Sequence, residues 1–394
     1  MGSLTGAGRT GSVYHGPVAC TVPPVATFIV RCEATGTGPT VAVKDLIDMA
    51  GFPTTAGCRA VERRATPAAV DATCLAGTRA GARIVGRTNL HELALGVTGI
   101  NPWFGTPVNP RDGRVVPGGS SSGAAVAVMT GEADIALGSD TGGSVRIPAA
   151  CCGCCGLKTT WGRIPLEGVW PLAPSFDTVG PLARDVAGLV EGMRLLEPGF
   201  SPLGPAGPLR VGRMQIDADP SIDAAIDAAL AATGWEVRPI LLPGWAEATA
   251  AGALLLVSEA WAANGALATA SPGDIGEDVI RRLHLGRDAS RERLAWAHHV
   301  RASWKAELDD VFSRVDVIVT PTLTIFPPPL ARADALLNAR CTLPVNLAGL
   351  PALSLPVPTA GHAIPASLQL IGPPDTDGRL LAAGAVVEAA ALSG

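Results

Sequence analysis

The sequence predicts an α/β protein: one large domain spanning residues 1–394, with an open, twisted, mixed and largely parallel sheet flanked by helices. Three observations predict it. Short apolar runs alternate with helical stretches along the chain, the pattern of layered α/β folds. The 394 residues are 47% hydrophobic, enough for a single large core. No fixed-period repeat or long linker breaks the pattern, and Gly204 to Pro208 is the one candidate boundary.

The elements follow in order. Residues 1–38, rich in Gly, Thr and Pro, read as an irregular lead-in with one strand near Val25 to Val30. Thr40 to Val43 is a strand running into Lys44. Ala68 to Ala80 has helical character and Arg83 to Gly86 is extended. Thr88 or Asn89 looks like the cap of a helix through His91 and Glu92. A polar, glycine-rich connection fills Gly96 to Gly119, followed by a helix over Ser122 to Met129, with Ser121 and Ser122 as caps, and a strand over Ile135 to Leu137. Further strands are expected at Leu157 to Thr160, Arg210 to Met214, Trp235 to Leu242 and Val315 to Thr320. Helices are expected over Val186 to Leu196, Ser221 to Ala232, Ala246 to Ala268 and Glu292 to Phe312. The segment 245–312 is expected to form a helical lid or pocket wall, and 38–190 a catalytic core.

Composition excludes several classes. A net charge of −5 with no basic run argues against nucleic acid as an electrostatic partner. Ala248 to Ser258, the most apolar run, lies between Glu247 and Glu259 and is too short to cross a bilayer, so no membrane is expected. No signal peptide is recognisable, and nine cysteines, an odd number, fit reduced thiols in a cytoplasmic protein. The cluster Cys151-Cys152-Gly153-Cys154-Cys155 lacks a second ligand group at metal spacing and reads as small packing residues. Neither a metal nor a cofactor is expected.

The chemistry is concentrated in two serine clusters, Gly118-Gly119-Ser120-Ser121-Ser122-Gly123 and Gly138-Ser139-Asp140-Thr141-Gly142-Gly143-Ser144-Val145-Arg146. Glycines allow backbone N–H groups to converge on one point. A serine ending such a turn sits beside an oxyanion hole, here the N–H groups of Thr141, Gly142, Gly143 and Ser144. Ser144 is therefore the expected nucleophile. Only three lysines occur, against 27 arginines, and Lys44 follows the apolar strand Thr40-Val41-Ala42-Val43. To act as a base near neutrality, its amine must lose roughly 4 kcal/mol of preference for its charged form, which burial can supply. Ser120 can relay the proton, since a hydroxyl both donates and accepts. Asp140 and Arg146 read as an ion pair bracing the turn. A nucleophile elbow at Ser121 is disfavoured because no central strand precedes it. No histidine has a triad context, and His91 reads as a structural hydrogen-bonder. Leu95, Gly96, Trp161 and Trp170 are the candidate pocket residues.

These blocks, together with Ala42-Val43-Lys44-Asp45, Gly153 to Lys158, Ser175 to Pro181, Asp316 to Thr322, Asn346 to Pro351 and Ile364 to Gly372, resemble the amidase signature family. The resemblance implies a triad of Ser144, Ser120 in a cis peptide, and Lys44, on a sheet of about eleven strands. The expected reaction is hydrolysis of the C–N bond of a small amide through an acyl-enzyme on Ser144. No lone charged residue reads as a substrate clamp, which favours a largely uncharged substrate, and aryl carbamates and esters present the same carbonyl. The rival reading is a glutaminase subunit of a tRNA-dependent amidotransferase. The short N-terminus and the lack of basic surface favour the first reading, a small-molecule enzyme acting as a monomer or homodimer. Thr159 departs from the family, which usually has proline there.

Overall fold

A computed structural model describes residues 14–15, 19–21, 26–202 and 207–393. Most of the Gly204 to Pro208 boundary therefore lies outside the described residues. The strands are β1 Tyr14–His15, β2 Ala19–Thr21, β3 Phe28–Cys32, β4 Thr40–Lys44, β5 Arg83–Thr88, β6 Ile135–Ser139, β7 Cys155–Lys158, β8 Val179–Ala183, β9 Arg210–Arg213, β10 Glu236–Pro239, β11 Val317–Pro321, β12 Ala352–Val357 and β13 Ala366–Ile371. The α-helices are α1 Arg59–Glu62, α2 Ala76–Gly81, α3 Ser122–Met129, α4 Arg146–Cys152, α5 Val186–Leu196, α6 Pro220–Ala232, α7 Trp245–Ala270, α8 Glu277–Arg287, α9 Arg291–Phe312, α10 Ala333–Leu336, α11 Leu343–Ala348 and α12 Asp377–Ser393.

The strands form one mixed sheet in the order β1-β2-β3-β5-β4-β6-β8-β7-β12-β13-β11-β9-β10. Eleven of them, β3 to β13, make the body, and β1 and β2 extend one edge. The expected parallel bias is corrected: only β4–β5, β4–β6, β9–β10 and β9–β11 pair parallel. Parallel neighbours need a crossover connection. In the second half of the chain, short links such as the one joining β12 to β13 favour antiparallel pairing instead.

Sequence and structure differ locally for identifiable reasons. β8, β12 and β13 carry buried Pro or polar residues that interrupt an apolar run. The helix expected after Asn89 is only a 3₁₀ turn over Glu92–Ala94, because Leu93 and Ala94 adopt left-handed φ values of 51° and 56°. Ser121 precedes α3, but its hydroxyl donates to the Ser139 carbonyl at 3.3 Å instead of capping the helix.

α7 also corrects an expectation. By length and composition, it is the one helix among the described residues long and apolar enough to cross a membrane. Glu247 and Glu259 lie within it rather than bounding it. In this fold α7 packs against α8, α9 and α11.

Candidate active site

The three parallel neighbours β5, β4 and β6 end at the same edge of the sheet, where α/β folds place their sites. Lys44 is the last residue of β4 and Ser139 the last of β6, so their side chains meet: Lys44 Nζ donates to Ser139 Oγ at 2.9 Å. The same nitrogen donates to Ser120 Oγ at 2.7 Å. Ser120 follows a cis peptide bond after Gly119 and is fully buried, as is Lys44. Gly118, at φ 73°, lies where a Cβ would come within 2.9 Å of the Pro148 backbone, so only glycine fits.

Ser144 closes the turn that leaves β6, and its carbonyl accepts from Ser121 N at 3.1 Å, which brings the two serine clusters together. Ser144 is 5% exposed and lines a cavity of about 220 Å³. The cavity wall is largely apolar and includes Leu95, Val97, Leu172, Leu256 and Leu343.

Burial lowers the Lys44 amine to about 7, against the opposing charges of Asp140 and Asp177. The sequence neighbour Asp45 is not among the causes of this shift. It pairs with the buried Arg87, whose Nε is 2.7 Å from Asp45 Oδ1.

The turn after β6 is organised by Asp140. Its carboxylate accepts from Gly143 N at 2.8 Å, Val145 N at 3.1 Å and Arg146 N at 3.4 Å. Arg146 grips it in a fully buried fork, Nε at 3.0 Å and Nη2 at 2.9 Å. Burial alone would raise this carboxyl, but the Arg146 charge and hydrogen bonds hold it well below the usual carboxylate range. Asn346 Oδ1, Gln369 Oε1 and the Thr342 carbonyl accept the remaining three guanidinium protons at 2.5, 2.6 and 3.3 Å.

This changes the expected set of oxyanion donors: the Gly143 N–H is already spent on Asp140, because a buried carboxylate must collect nearby N–H groups. Among the described residues, no protein acceptor takes the N–H of Thr141, Gly142 or Ser144.

Two further expectations are corrected. Trp161 and Trp170 do not line the Ser144 cavity. Trp161 is 49% exposed and donates to the Pro174 carbonyl at 3.1 Å. Trp170 donates to Asn264 Oδ1 at 3.0 Å, tying its loop to α7. An indole N–H seeks an acceptor, and both found one away from the cavity. Leu95 and Gly96 do line it.

Sequence reasoning missed Ser139, Asp177 and Arg282. Asp177 accepts from Thr141 Oγ1 at 2.6 Å and from the N–H groups of Leu172 and Ala173, so it joins the oxyanion turn to the cavity wall. It lies in the recognisable Ser175 to Pro181 block, and Ser139 directly precedes Asp140. Arg282 has no sequence signal. It lines the cavity from α8, and its Nη1 donates to Asp278 Oδ2 at 2.6 Å and to the Leu95 carbonyl at 3.0 Å. The cysteine cluster is fully buried behind the serine loop, where Cys152 Sγ approaches the Pro117 carbonyl at 3.3 Å.

The fold and this edge of the sheet define an amidase-type hydrolase, and the chain belongs to the Amidase family, whose model matches residues 37–381. It is similar to a glutamyl-tRNA(Gln) amidotransferase subunit of Halobacterium salinarum, at 35% identity over 89% of this chain and 95% of that protein. It is also similar to a 2-amino-5-chloromuconic acid deaminase of Comamonas testosteroni, at 35% identity over 89% of this chain and 81% of that protein. Among solved structures, an amidase superimposes with a TM-score of 0.81 at 32% identity, covering 89% of this chain and 84% of that one. The corresponding glutamyl-tRNA(Gln) amidotransferase subunit of Thermotoga maritima gives 0.73 at 28% identity, covering 89% and 83%.

These relatives overturn the expectation of a monomer or homodimer that acts only on a small molecule and has no connection to nucleic acid. Several of them are named as subunits of an enzyme of glutamyl-tRNA. The charge argument failed because net charge describes only what this chain's own surface attracts. It says nothing about an assembly.

Proposed function

We propose that this chain hydrolyses the C–N bond of a carboxamide and releases ammonia, as the glutaminase subunit of a tRNA-dependent amidotransferase. The observation that carries the chemistry is the contact of 2.7 Å between the buried Lys44 amine and the Ser120 hydroxyl, in the loop that abuts Ser144. The subunit role is supported by the repeated match, over about nine-tenths of this chain, to proteins of that name.

In this reading Ser144 Oγ attacks the amide carbon while its proton passes through Ser120 to neutral Lys44. The tetrahedral oxyanion meets the free N–H groups of Thr141, Gly142 and Ser144. The proton returns to the leaving nitrogen, ammonia departs, and water cleaves the acyl ester by the same relay. Esters and aryl carbamates present the same carbonyl and are candidate side substrates.

The cavity favours a second reading. Its wall is largely apolar, and the one charge on it, Arg282, is already paired with Asp278. Such a lining suits a small uncharged acyl group better than a zwitterionic amino acid. A hydrolysis panel separates the two: L-glutamine with and without purified partner subunits, against aliphatic amides, anilides, aryl carbamates and p-nitrophenyl esters. Partner-dependent glutamine turnover supports the subunit role. Turnover of apolar amides alone, with glutamine untouched in every mixture, overturns it in favour of the second reading.

A further inference from the structure

The wall of the Ser144 cavity is built on an improbable loop. Leu93 and Ala94 are consecutive non-glycine residues at left-handed φ, a conformation that L side chains rarely adopt because Cβ crowds the following carbonyl. Something must hold that loop, and His91 is in position to do so. Its ring is buried, and any Cβ at Gly96 would collide with it, so ring and loop are in close contact. Nε2 lies 3.1 Å from Asp278 Oδ2 on α8, and Nδ1 lies 3.3 Å from Thr98 Oγ1. Asp278 in turn binds Arg282, which reaches across to the Leu95 carbonyl. Meanwhile the main-chain N–H of His91 donates to the Ser120 carbonyl at 2.9 Å. Next to it, Glu92 accepts from Gly276 N at 2.7 Å, at the start of α8. His91 therefore touches the serine loop, the cavity wall and the helical segment above it.

We propose that His91 is a positioning residue that sets the shape of the acyl pocket by clamping loop 93–97 between its own ring and α8. It acts through Gly96, Asp278 and Arg282 and does not contact the reacting atoms. On this view the pocket's fit depends on a contact between two segments nearly two hundred positions apart. This inference rests on the reading of the Ser144 cavity as the site that receives the acyl group.

The test uses the full-length protein and an alkyl fluorophosphonate. The Ser144 oxygen forms a bond to phosphorus, fluoride leaves, and the serine proton passes to the base. The concentration dependence separates KI, which reports pocket fit, from the limiting rate, which reports the nucleophile. His91→Ala is expected to raise KI about tenfold while the limiting rate changes less than threefold, in keeping with loss of a hydrogen bond to a charged partner. His91→Gln, which keeps an N–H for Asp278, returns KI to within threefold of the original. In an Asp278→Asn background, His91→Ala adds less than threefold, because the two act as one unit. Three results overturn the proposal at equal folded fraction: an unchanged KI, a limiting rate that falls tenfold at constant KI, or no rescue by Gln. If the unaltered protein is not labelled at Ser144, the reading of the site falls and takes this inference with it. Normal labelling with an indifferent His91→Ala sinks the inference alone.

Discussion

Lys44 and Lys158 are the same side chain in nearly the same electrostatic situation. Both are fully buried. Burial lowers each to about 7, and Asp140 pulls each partly back. The difference lies in what each nitrogen faces. Lys158 donates to two carbonyls, Leu350 O at 2.8 Å and Thr159 O at 3.0 Å. Lys44 donates to two hydroxyls, Ser120 and Ser139. A carbonyl can only accept, so Lys158 has no proton to receive from its partners. A hydroxyl can turn and give one. The pair teaches that a lowered pKa makes an amine available as a base, and that the partner atoms decide whether it has anything to do.

The sharpest way to break this comparison is to remove each amine. Lys44→Met and Ser144→Ala are expected to lower kcat by on the order of 10⁴-fold or more, as members of one catalytic unit do, with the fold retained by circular dichroism. Lys158→Met is expected to act on thermal stability, leaving kcat per folded molecule within about threefold. A silent Lys158→Met protein that is fully folded, or an active Lys44→Met protein, would remove the distinction.

A smaller effect comes from pH, where activity and stability separate. Lys44 must be neutral to accept a proton, so kcat/KM should fall about tenfold per pH unit below about 7. Stability runs differently. Both lysines bind protons more weakly folded than unfolded, so their burial destabilises the fold progressively as pH falls from about 10.5 to about 7, and adds nothing further below that. Melting curves and rate profiles recorded together check both slopes. A flat rate down to pH 5 would count against Lys44 as the base.

The smallest effect is expected from Trp161→Ala. This half-exposed indole lies outside the cavity, so KM and kcat should move less than twofold. A tenfold rise in KM would return Trp161 to the pocket.

What was legible in the sequence follows the range of the interactions. Helices such as α3 and α5 were readable because their apolar residues and ends are set within a few positions. Lys44, Ser120, Ser144 and the Asp140–Arg146 pair stood out through glycine spacing and the rarity of lysine. Asp177, Ser139 and Arg282 were overlooked because each acquires its role from a contact with a residue that is not its sequence neighbour. The two tryptophans misled for the same reason, since their indoles found acceptors on other segments.

Sequence alone settled the α/β class, the glycine-flanked turns and the residue types at the candidate site, since these depend on local propensity and the steric freedom of single positions. The tertiary structure alone decided strand order, the loss of the Gly143 N–H to Asp140, and which helices close over Ser144. Those outcomes depend on buried polar groups finding partners across the sheet, and a buried donor or acceptor is satisfied by whatever the fold brings within about 3 Å.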